Sequence, residues 1–378
     1  MRYILKLLKE KPRYYLDKIK YYPRNVVWEL TLRCNMNCAH CGSAAGPERS
    51  RELNQEEALD LCHQLGRLGC EILTLLGGEP FLREDWDDLA QCLNEYGVKV
   101  NAISNGYLMD QALVDRIRKA GLINVAISLD GLQETHEKIR RKPGSYHRVL
   151  NALTLLRRNE VSTAVVTTIC KNNLAELDEL CRIVTESGAE IWQVQLGVPR
   201  GRLCEHAEFI IQPEDMHTVE QFIIRVRQKG LIRLDVADNI GYFGQHEEAL
   251  RANIPGRMPL WTGCFAGVQA LGIEANGDIK GCLSMPSLPE FKEGNIRQES
   301  LTAIWNKPGN FAYNRSFHTS LLEGDCADCA YDYVCRGGCK STAYCFTGSI
   351  FNNPYCLYRL EKKAREIKQP SPVSLHLL

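Results

Sequence analysis

The chain lacks any apolar stretch of the roughly 18 residues that a membrane-spanning helix requires, and it lacks the basic start, apolar middle and small-residue cleavage site of an export signal. Membrane-spanning and secreted classes are thereby set aside, and a cytoplasmic protein is expected. No sign of charge prevails, because 46 Lys and Arg stand against 46 Asp and Glu; no global field favours nucleic acid or an acidic substrate. One segment departs from this balance. Residues 1–24 carry Arg2, Lys6, Lys9, Lys11, Arg13, Lys18, Lys20 and Arg24 against Glu10 and Asp17, and read as a solvated basic helix capping the fold rather than a membrane-surface or acidic-peptide contact. The histidines form no ligand-spaced group. A chain of 378 residues is long for one core and suggests two domains, or a barrel with an appendage.

What is abundant is cysteine. Seventeen of them without an export signal argue against a disulfide framework and for metal or cluster ligation. Three fall in LTLRCNMNCAHCGSAAG (residues 30–46): Cys34, Cys38 and Cys41, directly after the apolar run VVWELTL, which reads as a buried strand. A closed structural zinc site wants four ligands, and an iron–sulfur cube offers four irons. Three thiolates therefore leave one metal position for a distant side chain or for something else. Cys62, Cys70, Cys92, Cys170, Cys181 and Cys204 fall mostly in helices or strands and read as small apolar core residues.

Beyond the cysteine loop, strands and helices alternate. EILTLL (71–76), VKVNAIS (98–104), INVAISL (123–129), VSTAVVTTI (161–169) and EIWQVQL (190–196) follow VVWELTL as short buried strands. Helices fall between them: one capped by Asn54 with Glu57 three residues on, one around Trp86–Tyr96, one ending at Gly121, and two near 145–158 and 173–187. Six such units predict a parallel sheet with right-handed crossovers, a partial barrel with its site at the carboxyl ends of the strands. The loops there are informative. Gly77, Gly78, Glu79 and Pro80 (GGEP) follow the second strand, where two glycines allow close backbone approach to a ligand and Glu79 offers a carboxylate to an ammonium group. Ser104 and Asn105 (SNG) follow the third, and Ser128 and Asp130 (SLDG) the fourth. Each is an ordinary turn alone; their joint placement points to one ligand site.

The strand, C-x3-C-x2-C loop and GGEP together resemble the radical S-adenosylmethionine (SAM) enzymes. That resemblance implies an open (β/α)6 barrel in which Cys34, Cys38 and Cys41 hold a [4Fe-4S] cluster, its fourth iron chelated by the methionyl amine and carboxylate of SAM. It also places His40 beside the adenine, GGEP at the SAM amine, and SNG at the ribose, with similar polar groups from SLDG. HEKIRRKPGSY resembles the segment that gives an arginine to the SAM carboxylate; Arg140 is the first choice, with Arg141 and Arg148 as alternatives. VPRGR (198–202) resembles a loop near the adenosyl group.

A second cysteine group reads Cys264, Cys282, Cys326, Cys329, Cys335, Cys339 and Cys356, and includes the Gly277–Cys282 element. This resembles the SPASM extension of radical SAM enzymes. By motif position Cys326, Cys329, Cys335 and Cys356 are expected to hold one auxiliary cluster, and Cys264, Cys282 and Cys339 another. Cys345, a substrate, water or another side chain is the candidate fourth donor of the latter. Both clusters are expected as [4Fe-4S], with [2Fe-2S] or an open iron as the alternative for one; structural zinc is the competing account of the region.

The expected architecture is thus α/β, a partial (β/α)6 TIM-like barrel with a C-terminal cysteine-rich SPASM domain, divided as 1–24, 25–235, 236–360 and 361–378. The resemblance implies reductive SAM cleavage to a 5′-deoxyadenosyl radical and hydrogen abstraction from a ribosomally made peptide or protein. The alternative is oxidative modification of a small cofactor precursor such as a haem-pathway tetrapyrrole, and, from another class, a non-catalytic electron carrier or zinc module. Sulfatase maturation is disfavoured, because Leu283 stands where those relatives carry an aspartate base. A flavodoxin or ferredoxin would supply electrons, and a peptide substrate would need the barrel surface or a separate leader-recognition protein, since only about 25 residues precede the barrel.

Overall fold

The strand series of the sequence becomes one ten-stranded sheet. The computed structural model describes residues 21–251 and 260–368, so most of the basic segment 1–24 lies outside the described residues. Strands β1 (Asn25–Glu29), β2 (Ile72–Leu76), β3 (Lys99–Ser104), β4 (Asn124–Ser128), β5 (Thr163–Ile169), β6 (Ile191–Leu196) and β7 (Arg233–Val236) are parallel and consecutive. β8 (Ala270–Ile273) pairs parallel with the free side of β1, and β9 (Asp278–Lys280) and β10 (Gly294–Asn295) continue antiparallel from it. The order is β10-β9-β8-β1-β2-β3-β4-β5-β6-β7, and the sheet is open.

Four of these strands, β7–β10, were not in the sequence series. β7 is four residues long with Arg233 and Asp235 alternating against buried Leu234 and Val236, too short and too charged for an apolar run to reveal it. It crosses the expected 235/236 junction, and β8–β10 extend the same sheet, so barrel and C-terminal region share their backbone hydrogen bonding. Helix Leu357–Lys368 likewise runs into the expected tail.

Alternation sets the two faces of the sheet. Val26, Trp28, Leu73, Leu75, Val100, Val125, Ile127, Val165, Trp192 and Val194 belong to the main core packed beneath the helices. Residues of opposite parity, Ile103, Ala126, Ala164, Val166 and Ile191, form a separate small cluster on the inner face. Helix Gln55–Arg67 starts with the expected capping box between Asn54 and Glu57, and helix Gln111–Ala120 stops at Gly121 in the left-handed region, φ 71°. Among the described residues no helix is long and apolar enough to cross a membrane.

Candidate functional site

The loop leaving β1 is shaped by its own backbone. Cys34 N–H donates to Gly46 O (2.9 Å) and Gly46 N–H to Leu32 O (3.1 Å), while Ala44 N–H returns to Cys41 O (3.2 Å) with Ala44 at φ 50°. Neighbouring loops then clamp it. Ala39 N–H donates to Ile139 O (2.8 Å); Arg202 donates from Nε to Cys38 O and from Nη1 to Ala45 O, both 2.8 Å. A Cβ on Gly201, whose φ is 57°, would stand 2.4 Å from Cys41 O, so only glycine lets the VPRGR loop come this close. The contact made by that loop is with the carbonyls of the cysteine loop, a role its sequence alone did not disclose.

GGEP docks the same way. Gly78 N–H donates to Thr31 O (2.7 Å) and Glu79 N–H to Arg33 O (2.9 Å), continuing the pairing of β1 and β2 beyond the strands. A Cβ on Gly77 would lie 2.3 Å from Thr31 O, and one on Gly78 2.2 Å from Arg33 O. The backbone these glycines approach is therefore that of the cysteine loop. Pro80 opens the short turn Pro80–Leu82. The Glu79 side chain is fully buried; Oε1 accepts from Ser104 Oγ (2.9 Å) and Oε2 from Asn105 N–H (2.9 Å). Burial, opposed by those two donors, pushes its carboxyl up to about 7. Asn105 also donates from Nδ2 to Asn35 Oδ1 (2.7 Å), which ties the end of β3 to the residue after Cys34.

Asp130 is the second hub. Its Oδ2 stands 2.9 Å from His40 Nε2, 2.7 Å from Arg140 Nε and 2.5 Å from Arg140 Nη2, and its Oδ1 accepts from Thr168 N–H (2.9 Å). Burial works against the charge, but Arg140 and His40 hold the carboxyl well below the usual carboxylate range. Arg140 Nη1 also lies 3.9 Å from Cys38 Sγ. The structure thus gathers Cys38, His40, Asp130 and Arg140 into one buried charged group, with Ser128 buried at the end of β4 beside it. Arg141 instead points Nη2 at His206 (2.5 Å), and Arg148 lies over the Tyr107 ring (5.5 Å).

His136 was missed by sequence reasoning. Its Nδ1 accepts the Asp130 N–H (3.1 Å), and burial followed by Arg140 depresses the ring to about 3, so it is neutral. The available signal was its position shortly after SLDG, on the helix Gln133–Arg140. Asn35 Nδ2, His40 Nδ1 and His136 Nε2 are buried with no partner among the described residues. Leaving such groups unpaired costs about 1–3 kcal/mol each, so their presence around the cysteine loop fits a polar ligand seated there. The three cysteines are free thiols, and burial pushes Cys34 up to about 11 and raises Cys38 as well. A metal that replaces the thiol protons relieves that cost. Soft sulfur donors on one loop beside unpaired polar atoms fit an iron–sulfur cluster carrying a polar small molecule.

In the C-terminal region Cys326, Cys329, Cys335 and Cys356 line one cavity of about 200 Å³. Gly337 and Gly338 border it at φ 82° and 72°, and a Cβ on Gly338 would sit 2.8 Å from the Tyr242 ring. Cys264, Cys282 and Cys339 are mutual electrostatic neighbours; burial, and then the Cys264 sulfur, push the Cys339 thiol up to about 12. Cys345 has different charged neighbours, Arg200 and Cys204. The fully buried Tyr242 lies between the two groups: its hydroxyl donates to Asp238 O (2.7 Å) and accepts the Cys339 N–H (3.1 Å), and its carbonyl faces Cys356 Sγ (3.6 Å). Among the described residues no three His, Cys, Asp or Glu side chains are placed to hold a single metal ion.

A further cavity of about 330 Å³ separates Gly42–Ala44 of the first cysteine loop from Leu283–Leu288 after Cys282. Buried charges line it. Arg49 pairs with Glu29 (2.5 Å) and Lys280 with Glu274 (2.7 Å), whereas Arg200 donates only to the carbonyls of Leu283 (3.0 Å) and Met285 (3.3 Å) and has no carboxylate partner among the described residues. Glu29 inside an apolar strand was the sequence signal for this network.

The chain is similar to known proteins over most of its length. The sequence pattern of the radical SAM superfamily matches residues 28–184, and that of an iron–sulfur cluster-binding domain, SPASM, matches residues 264–330. An AdoMet-dependent heme synthase of Methanosarcina barkeri is 31% identical over 351 residues, covering 90% of this chain and 98% of that protein. The mycofactocin maturase MftC of Mycolicibacterium smegmatis is 28% identical and covers 88% and 81%. The crystal structure of Streptococcus suis SuiB bound to its precursor peptide SuiA superposes with a TM-score of 0.71 at 18% identity, over 92% of this chain and 78% of that one.

Proposed function

We propose, for a chain that belongs to the radical SAM superfamily and carries a SPASM iron–sulfur domain, that it oxidatively modifies a carboxylate-bearing tetrapyrrole of the haem pathway. The carrying observation is the heme synthase likeness, which spans nearly the whole of both chains at 31% identity. The cavity between the two cysteine loops supports it, because Arg200, a cation there with no carboxylate partner among the described residues, suits a propionate. A peptide substrate is the second reading, favoured by the likeness to mycofactocin maturase; the likeness to SuiB shows the fold alone.

When bound, the cluster and SAM supply a 5′-deoxyadenosyl radical that abstracts hydrogen from substrate carbon. Cys34, Cys38 and Cys41 would hold that cluster, and the C-terminal cysteines two auxiliary ones. The chain's own residues do the rest. GGEP and the Arg202 guanidinium fix the cysteine loop, Arg140 sets a positive charge beside Cys38, and Asp130 keeps Arg140 and His40 in place. Glu79 and Asp130 are themselves shielded from water at this end of the sheet.

The test is anaerobic reconstitution with iron and sulfide, followed by 5′-deoxyadenosine release under dithionite in the full chain and in a Cys34→Ala, Cys38→Ala, Cys41→Ala variant. Propionate-bearing tetrapyrroles are then offered and followed by mass. Tetrapyrrole consumption that disappears in the variant supports the proposal. Modification of a peptide with tetrapyrroles untouched overturns the substrate, and no deoxyadenosine from loaded protein overturns the chemistry.

A further inference from the structure

We propose that the phenolic oxygen of Tyr313 is the fourth protein donor to the auxiliary cluster assigned to Cys264, Cys282 and Cys339. The inference rests on that assignment and completes it. Three cysteines leave one iron of a cube without a protein ligand. Cys345 has Arg200 and Cys204 as its charged neighbours, whereas Tyr313 has Cys264 and Cys282 as well as Glu293.

Backbone geometry places the phenol. Gly281 directly precedes Cys282, and a Cβ there would stand 2.0 Å from the Tyr313 hydroxyl. The same Cβ would lie 3.1 Å from the backbone of Ala266 and Gly267, in the turn that follows Cys264. The phenol oxygen thus occupies the space that glycine leaves between the two cysteine-bearing segments. Its helix, Ala312–Arg315, cannot swing away. Asn314 donates from Nδ2 to Ala266 O (2.8 Å), Arg315 from Nε to Gly267 O (2.6 Å), and Phe311 N–H to Glu293 Oε2 (3.0 Å), with Phe311 held at φ 58°.

The hydroxyl makes no hydrogen bond among the described residues, neither O–H···S to a cysteine nor O–H···O to a carbonyl. The phenol is thus free to ligate, rather than engaged as a donor to a neighbouring thiolate. Ligation breaks the O–H bond and forms an iron–oxygen bond with no change of oxidation state. The proton is released to solvent or to Glu293, an electrostatic neighbour of the phenol.

The experiment uses the full chain with Cys34→Ala, Cys38→Ala and Cys41→Ala, so that only auxiliary clusters load, and compares it with the same chain carrying Tyr313→Phe, Cys345→Ala or Cys264→Ala. Iron is counted, phenolate-to-iron charge-transfer absorption is recorded, and mild ferricyanide oxidation is followed by electron paramagnetic resonance. Tyr313→Phe should lose the charge-transfer band and, on oxidation, shed one iron of four to give a [3Fe-4S] signal that the parent does not give; Cys345→Ala should match the parent. A Tyr313→Phe protein that matches the parent, or a Cys345→Ala protein that sheds the iron, overturns the assignment. If Tyr313→Phe fails to load the cluster, Tyr313→His should restore it; failure of both counts against ligation. If Cys264→Ala loses no iron, the auxiliary-cluster reading has failed before the tyrosine is tested.

Discussion

Replacing Glu79 by glutamine isolates the charge of a fully buried carboxyl at the centre of the site. In the unfolded chain this group ionises near 4.5; in the fold, burial raises it to about 7. At about 1.4 kcal/mol per unit, ionised Glu79 costs the fold about 3 kcal/mol. The sign follows from the raised value: the protonated acid is favoured in the fold, its contribution is complete below about 4.5, and it is lost as pH rises through about 7. Glutamine cannot ionise. It also presents an amide donor to Ser104 Oγ or Asn105 N–H, which adds an offset that does not vary with pH. The advantage of Glu79→Gln over the parent should therefore grow by about 2 kcal/mol between pH 5.5 and 8, roughly 2–3 °C in melting temperature for a chain of this size. Tryptophan fluorescence melts under argon at four pH values in that window measure it. Parallel profiles, or an advantage that shrinks with pH, would refute the reasoning.

Asp130→Asn removes the carboxylate from buried Arg140 and should cost about 3–5 kcal/mol in urea unfolding. Adding Arg140→Met removes the stranded charge and should recover part of that loss, whereas simple additivity of the two changes would mean that the pair is uncoupled. Gly78→Ala puts a Cβ 2.2 Å from Arg33 O and displaces the cysteine loop; iron should fall by about four per chain while the spectra of the auxiliary clusters persist. Uniform iron loss would point to global misfolding instead.

Legibility from sequence followed locality. Asn54 with Glu57, Gly121, and the strands from EILTLL to EIWQVQL carry their signals within a few residues, and the structure forms them within one or two positions of expectation. The partners of the site residues are not local. Glu79 meets Ser104 and Asn105 because β2 and β3 end side by side, and Asp130 meets His40 across the sheet, so GGEP, SNG and SLDG could be flagged as loops but not joined into hubs. Arg200 and Arg202 belong to a loop flagged for a ligand, yet their contacts are carbonyls of two other segments. β8 was missed for the same reason: ALGI is too short to declare itself, and only its pairing with β1 makes it a strand.

That pairing also bears on how the chain is made. Asn25 sits opposite Ala270, and Ala275 N–H approaches Glu29 Oε1 (3.4 Å) across 246 positions of sequence. At about 5–20 residues per second, a ribosome needs roughly 12–50 s to deliver the second partner after the first. Throughout that interval β1 has an open edge, and the first cysteine loop hangs from a strand paired on one side only. Contacts this distant slow folding and leave the nascent edge exposed to other chains. Iron delivered to Cys34, Cys38 and Cys41 during synthesis would meet a scaffold whose closing strand has not yet emerged.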